Sequence, residues 1–193
     1  MVRTNRLATD RIVLRAFEST DLEAVRAYLN EASMIGRRYI PWKIRDHAPL
    51  AAKQIEGVLE AWAEEKKGFT LAVELRETGE LIGHAGCNWH WDTHCPGISL
   101  AISPSHQRVG LGAEVARLLL GYLFENSPAH NVSGWASDWN EPAIAFARSL
   151  GFSESGRIPR CGIRDGRFVE DVMLDILRPE WEAIREAGDA HGT

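Results

Sequence analysis

Apolar residues along the chain recur at either the period of a helix or that of a strand, and the order of these runs sets the fold class. Ile12-Val13-Leu14 reads as a first strand. Thr20-Asp21-Leu22-Glu23 has the Thr-x-x-Glu form of a capping box, and Leu22, Val25 and Leu29 behind it share one helical face. Met34 to Trp42 fits neither period and is stopped by Pro41, so it is read as a connecting segment. Ala51, Ile55, Val58, Leu59 and Trp62 recur at offsets of three and four, predicting a second amphipathic helix that ends near Gly68. Phe69 to Leu75 and Leu81 to Trp91 are strand-like runs around the turn Glu77-Thr78-Gly79-Glu80. Gly97 to Ser103 alternates as a strand and is closed by Pro104.

A third helix starts near Gly110, with Val115, Leu118, Leu119, Tyr122 and Leu123 as its apolar face and Ser127-Pro128 as its stop. Val132 to Ala136 is the next strand. Asn140-Glu141-Pro142 supplies a cap residue, an early acid and an early proline for a helix that runs to Leu150 and stops at Gly151. Phe152 to Ile158 and Phe168 to Leu177 flank the turn signal Asp165-Gly166, and a terminal helix covers Pro179 to about Ala187. This order predicts an α+β (mixed α/β) fold with one mostly antiparallel central sheet flanked by helices, and it disfavours a doubly wound parallel sheet. We expect a single domain over residues 1–193, with its core at about 9–181 and a flexible tail at 188–193.

Composition narrows the classes of function. With 45% hydrophobic and 25% charged residues the chain is an ordinary globular one, large enough to bury a core without disulfide or metal. A net charge of −5 argues against nucleic acid as a partner. The arginines of the N-terminus have no apolar run behind them, and Leu118 to Phe124 is far too short to span a bilayer, so a cytoplasmic protein without a membrane partner is expected. Cys87, Cys95 and Cys161 are an odd, sparse set consistent with reduced thiols. Seven tryptophans point to core packing, to aromatic-lined pockets or to a buried interface; with the β-rich C-terminal half they raise a homodimer as one expectation.

The most informative segment is Gln107-Arg108-Val109-Gly110-Leu111-Gly112-Ala113, between a predicted strand and a predicted helix. A helix start offers unpaired N–H groups and the positive end of a dipole, and Gly110 and Gly112 let a phosphate approach the backbone. A dinucleotide fingerprint would need glycine where Val115 stands, and no Gly-Lys-Ser/Thr follows, so neither an NAD nor a mononucleotide loop fits.

Gln107-x-x-Gly110-x-Gly112 resembles the Gln/Arg-x-x-Gly-x-Gly/Ala signature of the GNAT acyltransferases. Thr9-Asp10-Arg11-Ile12-Val13-Leu14-Arg15, the Asn140 helix, Leu150-Gly151-Phe152 and Asp165-Gly166-Arg167 look like the ribosomal-protein N-terminal (alanine) acetyltransferase branch, over about Thr9 to Trp181. The resemblance implies acetyl coenzyme A as co-substrate, its diphosphate held by residues 107–113. It also implies a gap splayed between the fourth and fifth strands, with the pantetheine arm along Leu100, Ala101 and Ile102 and near Asn140, Phe146 and Arg148. The acceptor is then a primary amine: a protein N-terminal α-amine by this branch, or a small-molecule amine such as an aminoglycoside, polyamine or amino acid. A catalytically silent acyl-coenzyme-A sensor is a further alternative.

The proton carriers are less legible. The positions where relatives place a tyrosine or serine acid are Ala147 and Ala143, which leaves water, Ser137, Asp138 or His90 as stand-ins, with Asp138 and His90 the first catalytic candidates. An α-amine with pKa about 8 asks little help from a base, whereas an amine near 10.4 is less than a thousandth neutral at pH 7. Arg38, Tyr39 and Trp42, with Asn88 and His90, are the candidate acceptor contacts, and His84 shares a strand face with Asn88 and His90. Cys87-x-x-His90-x-x-x-His94-Cys95 has metal-ligand residue types, but strand alternation points Cys87 away from the histidines, so no metal is expected. Arg157, Arg160, Arg164 and Arg167 read as a solvated hairpin or as partners for a phosphate or an acidic protein.

Overall fold

The structure, a computed structural model, describes residues 7–41, 43, 44, 46, 48–89 and 92–190, the last two of them by backbone alone. Contacts within the chain divide it into two compact units, Met1–Asn88 with Ser99–Leu119 and Trp89–Ile98 with Leu120–Thr193.

In the first unit β1 (Ile12–Arg15), β2 (Gly68–Leu75) and β3 (Leu81–Asn88) are antiparallel neighbours, and the end of β4 (Gly97–Ile102) lies beside β3. The Ser103 N–H donates to Ile82 O at 2.7 Å. Only glycine fits at Gly83, where a Cβ would stand 2.2 Å from Ala101 O. β3 is buried from Leu81 through Cys87, which explains its lack of polar alternation. α1 (Leu22–Leu29) and α2 (Ala52–Ala63) contribute Val25, Tyr28, Leu29, Ile55, Val58 and Trp62 to a core that includes Ala72, Leu81 and Ala101. Each large apolar side chain fully buried there stabilises the fold by roughly 1.5–3 kcal/mol.

The start of α1 differs from the sequence expectation. A short 3-10 turn at Ser19–Asp21 precedes it, and the carboxylate that organises the turn belongs to Asp21 rather than to a box headed by Thr20. Asp21 accepts from the Glu18 N–H at 2.8 Å and from both terminal nitrogens of Arg15 at 2.8 and 2.9 Å. These bonds, the Arg15 bond foremost, hold the Asp21 carboxyl below its ordinary range.

In the second unit Gly97, the first residue of β4, pairs in parallel with Ser133 of β5 (Asn131–Ser137). β5 pairs antiparallel with β7 (Arg167–Leu177), and β7 antiparallel with β6 (Ser153–Arg164). Asp165 (φ 50°) and Gly166 (φ 75°) are both left-handed, as a two-residue hairpin loop requires. β6 therefore runs past Ile158 to Arg164, and a bulge between Ile158 and Gly162 absorbs Pro159. α4 (Glu141–Ser149) and α5 (Arg178–Ala190) flank these strands. The last carbonyls of α3 (Leu111–Asn126) and the turn after it are capped by the Arg178 guanidinium, which donates to Phe124 O, Ser127 O and Ala129 O.

The architecture is thus mixed α/β with a mostly antiparallel sheet flanked by helices, as the hydrophobic pattern predicts. α5 continues to Ala190, into the stretch expected to form a tail. Among the described residues no helix is long and apolar enough to cross a membrane.

Candidate functional site

The predicted phosphate loop sits at the start of α3, in the first unit. Arg108 (φ 63°) and Gly110 (φ 86°) are left-handed, and they turn the chain from the end of β4 into the helix. Gly110 tolerates this conformation because it lacks a Cβ; Arg108 adopts it at a cost. Leu111 buries its side chain in the core, so residues 110–113 offer mainly backbone. Among the described residues no acceptor takes the N–H groups of Gly110, Leu111, Gly112 or Ala113, whereas the Glu114 N–H already bonds Gly110 O at 3.1 Å. Four open amides at the positive end of a sixteen-residue helix suit an anion such as a diphosphate. An open depression of about 680 Å³ lies alongside, between Thr9, Asp10 and Arg11 on one wall and Gly110, Ala113, Glu114 and Arg117 on the other.

The neighbouring side chains hold the loop rather than fill it. Gln107 turns back, its Nε2 donating to Ile102 O at 2.7 Å, and so fastens the loop to the end of β4. Ala101 and Ile102 are buried and Leu100 is half-buried. Val109 is 58% exposed, yet its carbonyl is taken by Arg11 Nη1 at 3.2 Å. The buried Ser103 hydroxyl donates to Glu31 at 2.8 Å and lies 2.9 Å from Ser105 Oγ, which tethers the end of α1 to the loop. Arg11 and Glu31 escape any spacing rule; the one sequence signal for Arg11 is the Thr9-Asp10-Arg11 stretch of the resemblance.

In the second unit Asn140 heads α4 as expected, but its buried side chain makes no capping bond; its carbonyl takes the Ala143 N–H at 2.9 Å. The Asn140 amide is therefore not committed to the helix it starts. Two residues earlier, Asp138 donates its N–H to Glu170 O at 2.8 Å, and its Oδ1 is buried without a hydrogen-bond partner among the described residues. A buried carboxylate oxygen left unmet is costly, so this one is open to a donor. Phe146 is half-buried, and Arg148 is exposed and paired with Glu154 at 3.1 Å.

The candidate acceptor residues are less uniform. Arg38 is 0% exposed: its Nη1 stands 3.0 Å from Asp46 Oδ1 and donates to Ala48 O at 2.9 Å. Its Nε and Nη2 are buried without partners among the described residues. Tyr39 is left-handed (φ 50°) and packs on the α1–α2 core, while Asn88 ends β3 half-buried. Trp42 and His90 lie outside the described residues. His84 does not line a pocket. It is buried, its Nδ1 lies 2.8 Å from the Tyr28 hydroxyl, and its ring packs 4.6 Å from Trp62. Burial lowers its pKa to about 4, so it is a neutral core residue at pH 7. Burial also pushes the Cys87 thiol up to about 12. No cluster of three metal-ligating side chains occurs among the described residues.

Residues 11–153 match the family described as acetyltransferase (GNAT) domain, and the chain belongs to it. It is 25% identical over 183 residues to the uncharacterized N-acetyltransferase YnaD of Bacillus subtilis, covering 91% of this chain and 98% of that protein. A GCN5-related N-acetyltransferase from Brucella melitensis superposes with a TM-score of 0.79 at 18% identity, over 95% of this chain and 83% of that one. The spermidine N-acetyltransferase of Vibrio cholerae, solved with CoA and spermine, superposes with a TM-score of 0.74 at 19% identity, over 90% and 99%. The two solved structures, both under 25% identical, speak for the fold, and the family match carries the assignment; nothing in these three matches points to the ribosomal-protein acetyltransferase branch in particular.

Proposed function

We propose that this protein moves an acetyl group from acetyl coenzyme A to a primary amine of a small-molecule acceptor, with polyamines as the first class to test. The observation that carries the reading is the set of open amides at Gly110–Ala113, at the place where the family signature calls for a diphosphate. In this reading residues 107–113 hold the diphosphate and Leu100, Ala101 and Ile102 align the pantetheine arm along β4; Asn140, Phe146 and Arg148 are the coenzyme contacts that the family resemblance adds. The acyl thioester supplies the carbon that the amine nitrogen attacks; the C–S bond breaks as the C–N bond forms, and the sulfur ends with the proton that the nitrogen gives up.

The acceptor decides how much help the chain must give. An amine with pKa near 10 is almost wholly protonated at pH 7, so a polyamine needs a base where an α-amine scarcely does. Asp138 takes that proton, directly or through one water, on the oxygen that no donor among the described residues occupies. The likeness to an enzyme solved with spermine supports polyamines as the first choice. Thiol release measured against spermidine, spermine, an aminoglycoside, free amino acids and a peptide with N-terminal alanine tests this. Turnover highest with a polyamine supports the reading, and turnover confined to the peptide returns the assignment to protein N-termini. Ala143 and Ala147, at the places of the usual acids, motivate a second reading as a silent acyl-coenzyme-A sensor, which predicts coenzyme binding with no turnover on any acceptor.

A further inference from the structure

We infer that Arg11 is a positioning residue for the anion cradle at the start of α3, a role that rests on the coenzyme-binding reading above. Arg11 is 98 residues from Val109, yet its guanidinium makes three contacts there at once. Nη1 donates to Val109 O at 3.2 Å, while Nε at 2.8 Å and Nη2 at 2.6 Å meet the same Glu114 oxygen. A Cβ on Gly110 would stand 3.4 Å from Arg11 Nη2, so the left-handed glycine and the guanidinium lie side by side.

Two physical consequences follow. In a trans peptide the carbonyl and the next N–H point in opposite directions, and the chain has no cis peptide among the described residues. Holding Val109 O toward Arg11 therefore fixes the plane of the peptide and turns the Gly110 N–H away from Arg11. The second consequence is electrostatic. Glu114 favours the helix by lying in its first turn, but the same negative charge repels a diphosphate bound to that turn. With Glu114 only 20% exposed, solvent screens this repulsion incompletely, and the Arg11 guanidinium neutralises it.

Arg11 is itself fixed from the sheet. Its carbonyl accepts the Arg76 N–H at 2.9 Å, its own N–H donates to Thr9 Oγ1 at 3.2 Å, and Arg76 Nε donates to Thr9 O at 2.8 Å. The guanidinium thus reaches the loop from the braced start of β1. Lysine at position 11 would keep the charge, but a single ammonium cannot reproduce the fork that grips a carbonyl and a carboxylate together.

Calorimetry with coenzyme A and with pantetheine, which lacks the diphosphate, tests the inference on the wild-type protein, R11A, R11K and R11A/E114Q. The preference for coenzyme A over pantetheine is expected to fall at least tenfold in R11A. R11K should recover less than a third of it, and R11A/E114Q should bind coenzyme A severalfold more tightly than R11A. Should R11A fold poorly, R11K and R11Q carry the same comparison. An undiminished preference in the alanine variant overturns the role, and full recovery with lysine reduces it to charge alone and overturns positioning. A wild-type protein that takes up neither compound fails at the coenzyme-binding reading itself, and the role of Arg11 falls with it.

Discussion

Two segments of the first unit spend their polar groups in opposite ways. At the start of α3 the chain leaves backbone donors open, and the surrounding side chains, Gln107 and Arg11, grip carbonyls so that the amides stay exposed. Around the segment that follows α1 the polar side chains of Arg38, of His84 in β3 and of Tyr28 in α1 are drawn inward, and several polar atoms there are buried without a partner among the described residues. The first arrangement is suited to binding. The second is a structural device whose failure should unfold the protein, and the difference between the two can be measured.

The largest effect expected is on stability, from Arg38→Ala. Removing the fully buried guanidinium takes away the ion-pair partner of Asp46 and leaves a cavity, at a cost of up to about 3–5 kcal/mol, read by urea denaturation. Loss of acceptor affinity at unchanged stability would instead make Arg38 a binding residue. Next is the acid limb of stability. The folded-state pKa of His84 is about 4, against about 6.5 when unfolded, so the unfolded chain binds the extra proton. Stability from this group is fully present above pH 6.5 and drains away as pH falls toward 4, by up to about 3 kcal/mol. Denaturation curves across that window should lose this slope in His84→Gln; a slope unchanged by the substitution would mean that the imidazole is not held neutral.

On the binding side, Gly110→Val forces a β-branched residue to φ 86° and should weaken coenzyme A at least a hundredfold in a titration. An affinity within threefold of wild type would show that the loop does not need its left-handed turn. The smallest effect is on the chemistry. Asp138→Asn should lower kcat for a polyamine roughly ten- to a hundredfold, shift the pH–rate profile toward alkaline pH and leave the coenzyme KM unaltered. An unchanged profile removes Asp138 as the base.

The same contrast explains what could be read from the chain. The binding loop is legible because backbone geometry is written locally: Gly110 and Gly112 at fixed offsets between a strand and a helix leave few conformations. α1 to α3 follow from apolar period, α4 from its cap, proline and stop glycine, and the hairpin loop from Asp165-Gly166. Arg38, a candidate acceptor contact, and His84, which the sequence leaves open between a pocket wall and a structural histidine, are both buried; residue type does not reveal burial, and for His84 the packing of Trp62 and Tyr28 decides it. The pairing of Arg11 with Val109 and Glu114 depends on β1 and α3 meeting in space, which no local pattern encodes. The second half of β6 was missed because it is an exposed, arginine-rich edge with no apolar alternation.

The central claim is that open amides at the head of α3 bind a diphosphate. Its most direct test is a titration of coenzyme A into ¹⁵N-labelled protein, following the backbone amides. The account predicts saturable shifts largest at Gly110, Leu111, Gly112 and Ala113 and absent there when pantetheine replaces the coenzyme; saturation with those four signals unmoved would contradict it.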